Sequence, residues 1–213
     1  MSKYLFVTAH PEPGSFNHAL TSEALACLRL QGHQVEHSDL CAMQWQPVAD
    51  RRDFTTVFDA SYYKQQREEL YASEHDGFAP EIKAEIEKLF WCDVMVLQFP
   101  LWWFGMPAIL KGWVDRVFVM GKIYGQGKWY ETGSFRGKKA MVSVTTGSGK
   151  HLFGEGGLHP PMETLLLPIH HGIFRFNGFE VLEPFVAWQV AHLTDEERKQ
   201  LLHQYREKIA AIG

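Results

Sequence analysis

Long hydrophobic runs are missing from this sequence of 213 residues. Its apolar runs have the length of a β-strand, and none approaches the ~18–20 residues that a membrane-spanning helix needs. The N-terminus also lacks the basic segment and the apolar stretch of a signal peptide. We therefore expect a cytoplasmic protein without stable membrane insertion.

Cysteine is scarce, and neither sign of charge is in large excess. The 3 cysteines are scattered, with no CxxC pair and no even number that could build a disulfide framework, which is typical of a reducing compartment. The formal net charge of −4 argues against a large basic surface, so we expect no nucleic-acid partner.

Two common phosphate-binding motifs are also absent. The sequence contains neither GxGxxG nor GxxxxGK followed by Ser or Thr. A classical dinucleotide fingerprint and a Walker A loop are therefore excluded. Any phosphate group would have to be held by other loops.

Apolar runs of strand length alternate with segments of helical periodicity along the chain. This alternation predicts a single α/β domain over residues 1–213, with a doubly wound parallel sheet. We predict strands at residues 4–9, 34–40, 93–99, 139–145 and 179–184, and helices at residues 18–31, 80–91, 108–120 and 160–174, with a final helix capped by Thr194.

Residues 44–80 form the least regular stretch of the sequence. A loop of this length within a compact domain is usually functional or covered by a partner. The tyrosines at positions 62, 63 and 71 would be costly to leave fully in water, which favours a partner.

The loop after the first predicted strand is a candidate phosphate site. The N-terminus of the following helix would direct backbone amides and a favourable dipole at an anion. The alternative is that Ser15 or Asn17 only caps the helix. The side chains and backbone positions available for binding are His10, Ser15, Phe16, Asn17 and Ala19.

A second candidate loop follows the third predicted strand. It contains Pro100, Leu101, Trp102, Trp103 and Phe104, and a turn at Gly105 closes it. Aromatic clusters most often belong to a hydrophobic core, but these residues follow a strand end instead of recurring at helical spacing. A flat apolar slot for a planar ligand, which we expect to be a flavin, is the functional interpretation.

The third candidate is a glycine-rich loop after the fourth predicted strand. A flexible surface loop would have the same composition, but glycine also allows a backbone to approach a ligand closely. Ligands of open α/β sheets bind beyond the carboxyl ends of the strands, and the three candidate loops would meet there. The candidate residues here are Thr145, Thr146, Gly147, Ser148 and His159.

Several ordered segments together resemble the NAD(P)H:quinone oxidoreductase (DT-diaphorase) family, over nearly the whole chain up to about residue 200. Among them are Gln-Phe-Pro-Leu at residues 98–101 and Pro-Ala-Ile-Leu-Lys-Gly-Trp at residues 107–113. The others are at residues 15–17, 38–40, 103–105, 135–136, 138–140, 145–147, 178–179 and 181–184. The resemblance implies a flavodoxin-like α/β fold, in which a doubly wound five-stranded parallel sheet of order 2-1-3-4-5 carries helices on both faces. It also implies a homodimer with shared active sites.

The resemblance further implies a bound FAD in each subunit, NAD(P)H as the co-substrate and a quinone-like small molecule as the acceptor. His10, Phe16, Asn17 and Ala19 would hold the pyrophosphate and ribityl region. Residues 100–104 would surround the flavin ring, while Thr145, Thr146, Gly147 and Ser148 would contact its pyrimidine edge. Asp115, Val190 and Arg198 would contact the adenosine half.

The catalytic residues implied by the resemblance are His159, Trp103, Phe104 and Tyr124. His159 would act near flavin N1 and O2, Trp103 and Phe104 would stack with the nicotinamide, and Tyr124 would come from the neighbouring subunit, with Phe176 also lining the substrate pocket. Phe153 occupies the position of a family tyrosine, so its hydroxyl is missing here. His171 matches one zinc ligand of some relatives, but Arg175 replaces another, so we predict no metal.

Three alternatives share the predicted fold. The first is an ancillary regulatory subunit of a potassium efflux system. The second is a nitro- or azoreductase that uses FMN, which is also the alternative cofactor. The third is a one-electron flavodoxin carrier, which the modest net charge disfavours because such carriers are usually strongly acidic.

Overall fold

The computed structural model describes residues 1–212 as a sheet enclosed by helices. In addition to the strands and helices given next, the chain contains four single turns of 3₁₀-helix, at Arg51–Asp53, Tyr130–Thr132, Lys150–Leu152 and Val190–His192. The strands are β1 (Lys3–Thr8), β2 (Gln34–Asp39), β3 (Val94–Pro100), β4 (Lys139–Thr145), β5 (Glu180–Val181) and β6 (Phe185–Ala187). The helices are α1 (Phe16–Leu30), α2 (Gln65–His75), α3 (Pro80–Trp91), α4 (Ala108–Val117), α5 (Met162–Ile169), a π-helical continuation (His170–Arg175) and α6 (Asp195–Ala210).

All strand pairs are parallel, and the order β2-β1-β3-β4-β5 confirms the flavodoxin-like prediction. The fifth position is shared by two short strands, because β5 pairs with the start of β4 and β6 pairs with its end. The predicted strand at residues 179–184 is therefore shorter than expected. Pro184 lies between the two pieces, where its missing N–H group cannot contribute to the ladder.

The expectation that residues 44–80 lack regular structure is wrong. Helix α2 occupies Gln65–His75 in the second half of this stretch. Gln, Arg and Glu favour helices, but the segment has few apolar residues, so it shows no hydrophobic stripe. Its buried face instead contains the carboxylates of Glu68 and Glu69, whose hydrogen bonds form only in the folded chain.

The two faces of the sheet bury separate apolar clusters. Every residue of β3 is buried, as expected for a central strand covered by helices on both sides. Helix α1 packs against the sheet and against α6 through residues such as Leu20, Ala24 and Leu28. Helices α3 and α4 cover the opposite face, where Trp113 is fully buried.

Buried charges connect this second helical layer to the loop after β2. The Arg116 guanidinium donates from Nε to Asp53 Oδ1 over 2.9 Å and from Nη1 to the Gln46 carbonyl oxygen over 2.7 Å. Burial raises the pKa of Asp53, although the neighbouring Arg116 acts in the opposite direction. The buried carboxylate of Glu85 similarly accepts the indole N–H of Trp113 over 2.8 Å.

Within residues 1–212, no helix is both long enough and apolar enough to cross a membrane.

Helix α4 approaches the backbone of Pro47 closely at Gly112, and a substitution of Gly112 tests this packing. A Cβ atom at Gly112 would lie 2.2 Å from the Pro47 carbonyl oxygen. We expect Gly112→Ala to lower the free energy of unfolding by ~1–3 kcal/mol through overpacking, despite the better helix propensity of Ala. Denaturant unfolding measures this change.

Gly172 provides the matched control, since it is also helical but has no atom within 4 Å of an added Cβ. Gly172→Ala should be neutral or stabilising by up to ~1 kcal/mol. Equal stability changes for the two variants would contradict the close packing at Gly112.

Candidate functional site

The three candidate loops meet at the carboxyl edge of the sheet, around a first cavity of about 490 Å³. Backbone hydrogen bonds hold them together, because Ala9 donates to the Gln98 carbonyl and Leu101 donates to the Thr145 carbonyl. Most of the predicted binding residues line this cavity. They are His10, Phe16, Asn17, Ala19, Pro100, Leu101, Trp102, Thr145, Thr146, Gly147, Val190 and Arg198.

Helix α1 begins at the wall of the first cavity. Ser15 caps it by accepting the amide of His18, so the alternative role of Ser15 as a helix cap is confirmed. Within residues 1–212, the amides of Phe16 and Asn17 donate to no acceptor. Two free N–H groups at the positive end of a helix dipole are suited to bind an anion.

The aromatic loop has an unusual backbone. Trp102 and Gly105 exchange two backbone hydrogen bonds, and the two residues between them have left-handed φ angles, 50° at Trp103 and 59° at Phe104. Such conformations cost ~1–3 kcal/mol each for non-glycine residues and cluster at functional sites. The amides of Trp103 and Phe104 find no acceptor in the part of the chain that the structure describes.

The third loop also contains backbone N–H groups that have no acceptor within residues 1–212. Thr146 donates its hydroxyl to the Ser148 carbonyl over 2.7 Å and its amide to the Ala187 carbonyl in β6, which fixes the start of the loop. The amides of Gly147 and Ser148 have no acceptor among residues 1–212. The three loops therefore present six free backbone donors at one edge of the sheet.

His159 lies beside the aromatic loop and does not line the first cavity itself. Its ring lies between two phenyl rings, with centroid distances of 5.1 Å to Phe104 and 4.9 Å to Phe153. Backbone hydrogen bonds to Leu152 and Gly154 hold the residue in place. Neither ring nitrogen has a hydrogen-bond partner among the described residues, so both remain available to a ligand.

Trp103, Phe104 and Ser148 belong to the loops around the first cavity but do not line it. The Trp103 side chain is 99% exposed, which is exceptional for an indole. The exposed indole on a strained loop offers an apolar surface to a ligand or a second chain.

A second cavity of about 510 Å³ lies away from these loops, between α2, α4 and the π-helical segment. Tyr124 and Phe176 line it, with ring centroids 6.3 Å apart. Asp115 also lines it and forms an ion pair with Lys111 over 2.6 Å.

Within one chain, the structure thus separates Asp115 from Val190 and Arg198, with which the sequence analysis grouped it. The physical reason is that Asp115 projects from α4 towards α2, where Gln65 donates to its carbonyl oxygen. One ligand could contact all three residues only if it met two copies of the chain.

Sequence reasoning missed several residues of both cavities. Gln98 lies beneath the first cavity and donates to Asn17, while Glu69 and Gln66 line the second. A glutamine inside an otherwise apolar central strand is a signal that could have identified Gln98. Glu69 gave no such signal because its helix was not predicted.

The electrostatics at α1 favour a neutral donor over a fixed positive charge. Burial lowers the pKa of His10 below its ordinary value of 6.5, and nearby His18 acts in the same direction, against the opposing influence of Glu12. At neutral pH His10 is therefore an uncharged imidazole. Arg198 supplies a permanent positive charge at the far end of the first cavity.

The fold and the loops define a flavodoxin-like protein, and the chain matches the flavodoxin-like fold family over residues 2–212. It is 38% identical to NAD(P)H dehydrogenase (quinone) 1 of Rattus norvegicus over 98% of this chain and 76% of that protein. It is 36% identical to ribosyldihydronicotinamide dehydrogenase (quinone) of Homo sapiens over 99% of this chain and 91% of that protein.

A solved structure gives the same result. A protein from Klebsiella pneumoniae, named as a candidate quinone reductase, has a TM-score of 0.94 and 34% identity, covering 100% of this chain and 85% of that one. The chain therefore belongs to the flavodoxin-like family, in the group of the NAD(P)H:quinone oxidoreductases.

The uncharged state of the His10 imidazole predicts that anion binding at α1 depends on pH. An anion bound at α1 would favour the charged imidazole and raise the pKa of His10, so binding would take up a proton. The affinity of the wild-type protein for inorganic pyrophosphate, relative to that of a His10→Gln variant at the same pH, should therefore increase as the pH falls from 7 through the interval between the two pKa values of His10. Calorimetric titration of the flavin-free protein measures the affinity, and NMR follows the His10 ring.

His10→Gln keeps a neutral donor but removes the titrating group, and protonation of pyrophosphate affects both proteins equally. A ratio of wild-type to variant affinity that stays constant or falls on acidification would contradict the role of His10.

Proposed function

We propose that this protein is a flavin-dependent NAD(P)H:quinone oxidoreductase that transfers two electrons as a hydride from NAD(P)H to a quinone-like acceptor. The observation that carries the proposal is the set of six free backbone donors around a cavity beside strained, exposed aromatic residues. A tricyclic ring with polar edges and a phosphorylated tail suits both features. The relatives named as quinone dehydrogenases support the same activity.

Each loop suits one part of a flavin cofactor. The amides of Phe16 and Asn17 suit its phosphates, since both lie at a helix N-terminus. The aromatic loop suits the ring, and the free amides of Gly147 and Ser148 suit the oxygen-rich pyrimidine edge.

We propose FAD as the cofactor of the first cavity. Its lining includes Val190, Ala191 and Arg198 in addition to the loop residues, and an adenosine group would contact this part of the wall. Extraction of the cofactor followed by mass spectrometry distinguishes FAD from FMN.

Bound flavin supplies a site that accepts a hydride from NAD(P)H and returns it to the acceptor. The protein would orient the reactants and control charge. Trp103 and Phe104 would form the apolar platform that excludes water from the reacting face. The amides of Gly147 and Ser148, together with His159, would stabilise developing negative charge at the pyrimidine edge, where one such donor is typically worth ~2.7–4 kcal/mol.

A homodimer with shared active sites accounts for the remaining features. Trp103, Leu158 and Leu167 are 99%, 84% and 57% exposed, and they offer apolar side chains that a second copy could cover. A second copy could cover these side chains and present Tyr124 and Phe176 to the substrate. It could also bring Asp115 to the adenosine group.

A cytoplasmic location agrees with the three cysteines, which are all unpaired within residues 1–212. The regulatory-subunit and azoreductase alternatives receive no comparable support, because the two relatives described above are named as quinone dehydrogenases.

The cofactor prediction is tested on the purified protein. It should be yellow or take up FAD, and it should oxidise NADH, NADPH or dihydronicotinamide riboside with a quinone as acceptor. Because both substrates would use one pocket in turn, initial rates with both varied should give parallel double-reciprocal lines. A colourless protein that binds neither FAD nor FMN would rule out the proposed function, and intersecting lines would rule out the shared pocket.

His159 is tested by its effect on flavin reduction. We expect His159→Ala to slow reduction by NAD(P)H ~10- to 100-fold, the lower part of the range for acid–base assistance. Stopped-flow absorbance measures the rate. His151→Ala, an exposed histidine of the same loop, is the matched control and should reduce at the wild-type rate.

Phe153 provides a complementary test, because its ring contacts His159 but carries no hydroxyl. Phe153→Tyr should keep the rate of flavin reduction or raise it. A large loss of rate would show that the ring serves only as an apolar contact for His159.

A further inference from the structure

Gln98 is a polar residue in the most apolar strand of the sheet. It is fully buried in β3, and its side chain shares one face of the sheet with those of its register partners Thr8 and Ser143. Burying a carboxamide costs free energy unless hydrogen bonds compensate for the lost water. The contacts of Gln98 therefore indicate what the residue does.

A chain of short hydrogen bonds runs from Gln98 to the first cavity. Gln98 Nε2 donates to Asn17 Oδ1 over 2.8 Å, and Asn17 Nδ2 donates to Thr145 Oγ1 over 2.9 Å. None of the three side chains is more than 3% exposed. They come from β3, α1 and β4, so the chain joins the elements that carry the three loops.

The direction of this chain follows from the chemistry of a carboxamide, which has one acceptor end and one donor end. Because Gln98 donates to the oxygen of Asn17, the nitrogen of Asn17 faces Thr145. Thr145 Oγ1 then serves as an acceptor, and its own proton has no acceptor among residues 1–212. Thr145 lines the first cavity, so this proton is available to a ligand there.

The carboxamide of Gln98 uses only its donor end. In the part of the chain that the structure describes, the buried Oε1 of Gln98 has no hydrogen-bond partner. Among the described residues, the hydrogen bond to Asn17 is therefore the one directed contact of this side chain. The backbone of Asn17 is held separately, because its carbonyl oxygen accepts the Thr21 hydroxyl over 3.1 Å.

The geometry points to Gln98 as a positioning residue that orients Asn17 and thereby makes the Thr145 hydroxyl a hydrogen-bond donor to an acceptor atom of the bound flavin. This inference rests on the proposed function. It adds Gln98, a buried residue that does not touch the cofactor. Gln98 determines that the hydroxyl of Thr145, which does touch the cofactor, acts as a hydrogen-bond donor.

Gln98→Met tests the inference, because it removes the donor with little change in volume. We expect the dissociation constant for FAD to rise about tenfold, the effect of losing one hydrogen bond. The midpoint potential of the bound flavin should become more negative, because a donor to the reduced ring is lost. Fluorescence titration and redox titration measure the two quantities, and the thermal unfolding of the flavin-free variant is recorded beside them.

Substitutions of Thr145 provide the second part of the test. Thr145→Val should reproduce both effects, Thr145→Ser should retain wild-type values, and Gln98→Met combined with Thr145→Val should be no worse than either alone. The matched control is Ser143→Ala, which alters a buried polar side chain on the same sheet face and should leave both quantities unchanged.

Three results would overturn the inference. The first is a Gln98→Met protein that is less stable but binds FAD with wild-type affinity and potential. The second is additive effects of Gln98→Met and Thr145→Val, and the third is equal FAD binding by Thr145→Val and Thr145→Ser. A wild-type protein that takes up no flavin would refute the proposed function as well, so the two failures are distinguishable.

Discussion

The parallel pairing of β1, β3 and β4 is the constraint on which the rest of this structure depends. Parallel strands point the same way, so the loops that follow them must leave the sheet at one edge. Each loop here begins with residues that are tied to a neighbouring strand and continues with amides that have no internal acceptor. The sheet therefore creates the site by concentrating unsatisfied donors.

The aromatic loop has an energetic cost, because left-handed φ angles at two successive aromatic residues are unfavourable. The surrounding fold stabilises the strained segment through the two hydrogen bonds between Trp102 and Gly105 and the link from Leu101 to Thr145. A ligand that accepts hydrogen bonds from the free N–H groups would stabilise this segment further.

Much of the first cavity could be predicted from sequence, because its residues follow strands whose apolar runs are unmistakable. Asp115 illustrates the limit of such prediction. The family resemblance implied a place beside Arg198, but within one chain α4 carries Asp115 to the second cavity. Helix α2 illustrates a different limit, since its buried face consists partly of carboxylates and no hydrophobic periodicity marks it. Periodicity detects apolar burial and misses burial that hydrogen bonds make possible.

The sequence by itself determined the alternation of strands and helices and the three loops that follow strand ends, because apolar spacing and turn residues act locally. The order of the sheet was expected only from the resemblance to a known family. Only the tertiary structure decided which amides remain free, which way the chain from Gln98 through Asn17 to Thr145 runs, and that Tyr124 and Asp115 lie in a separate cavity. These features depend on contacts between residues far apart in the chain. Their partners and directions are defined only when the elements pack together.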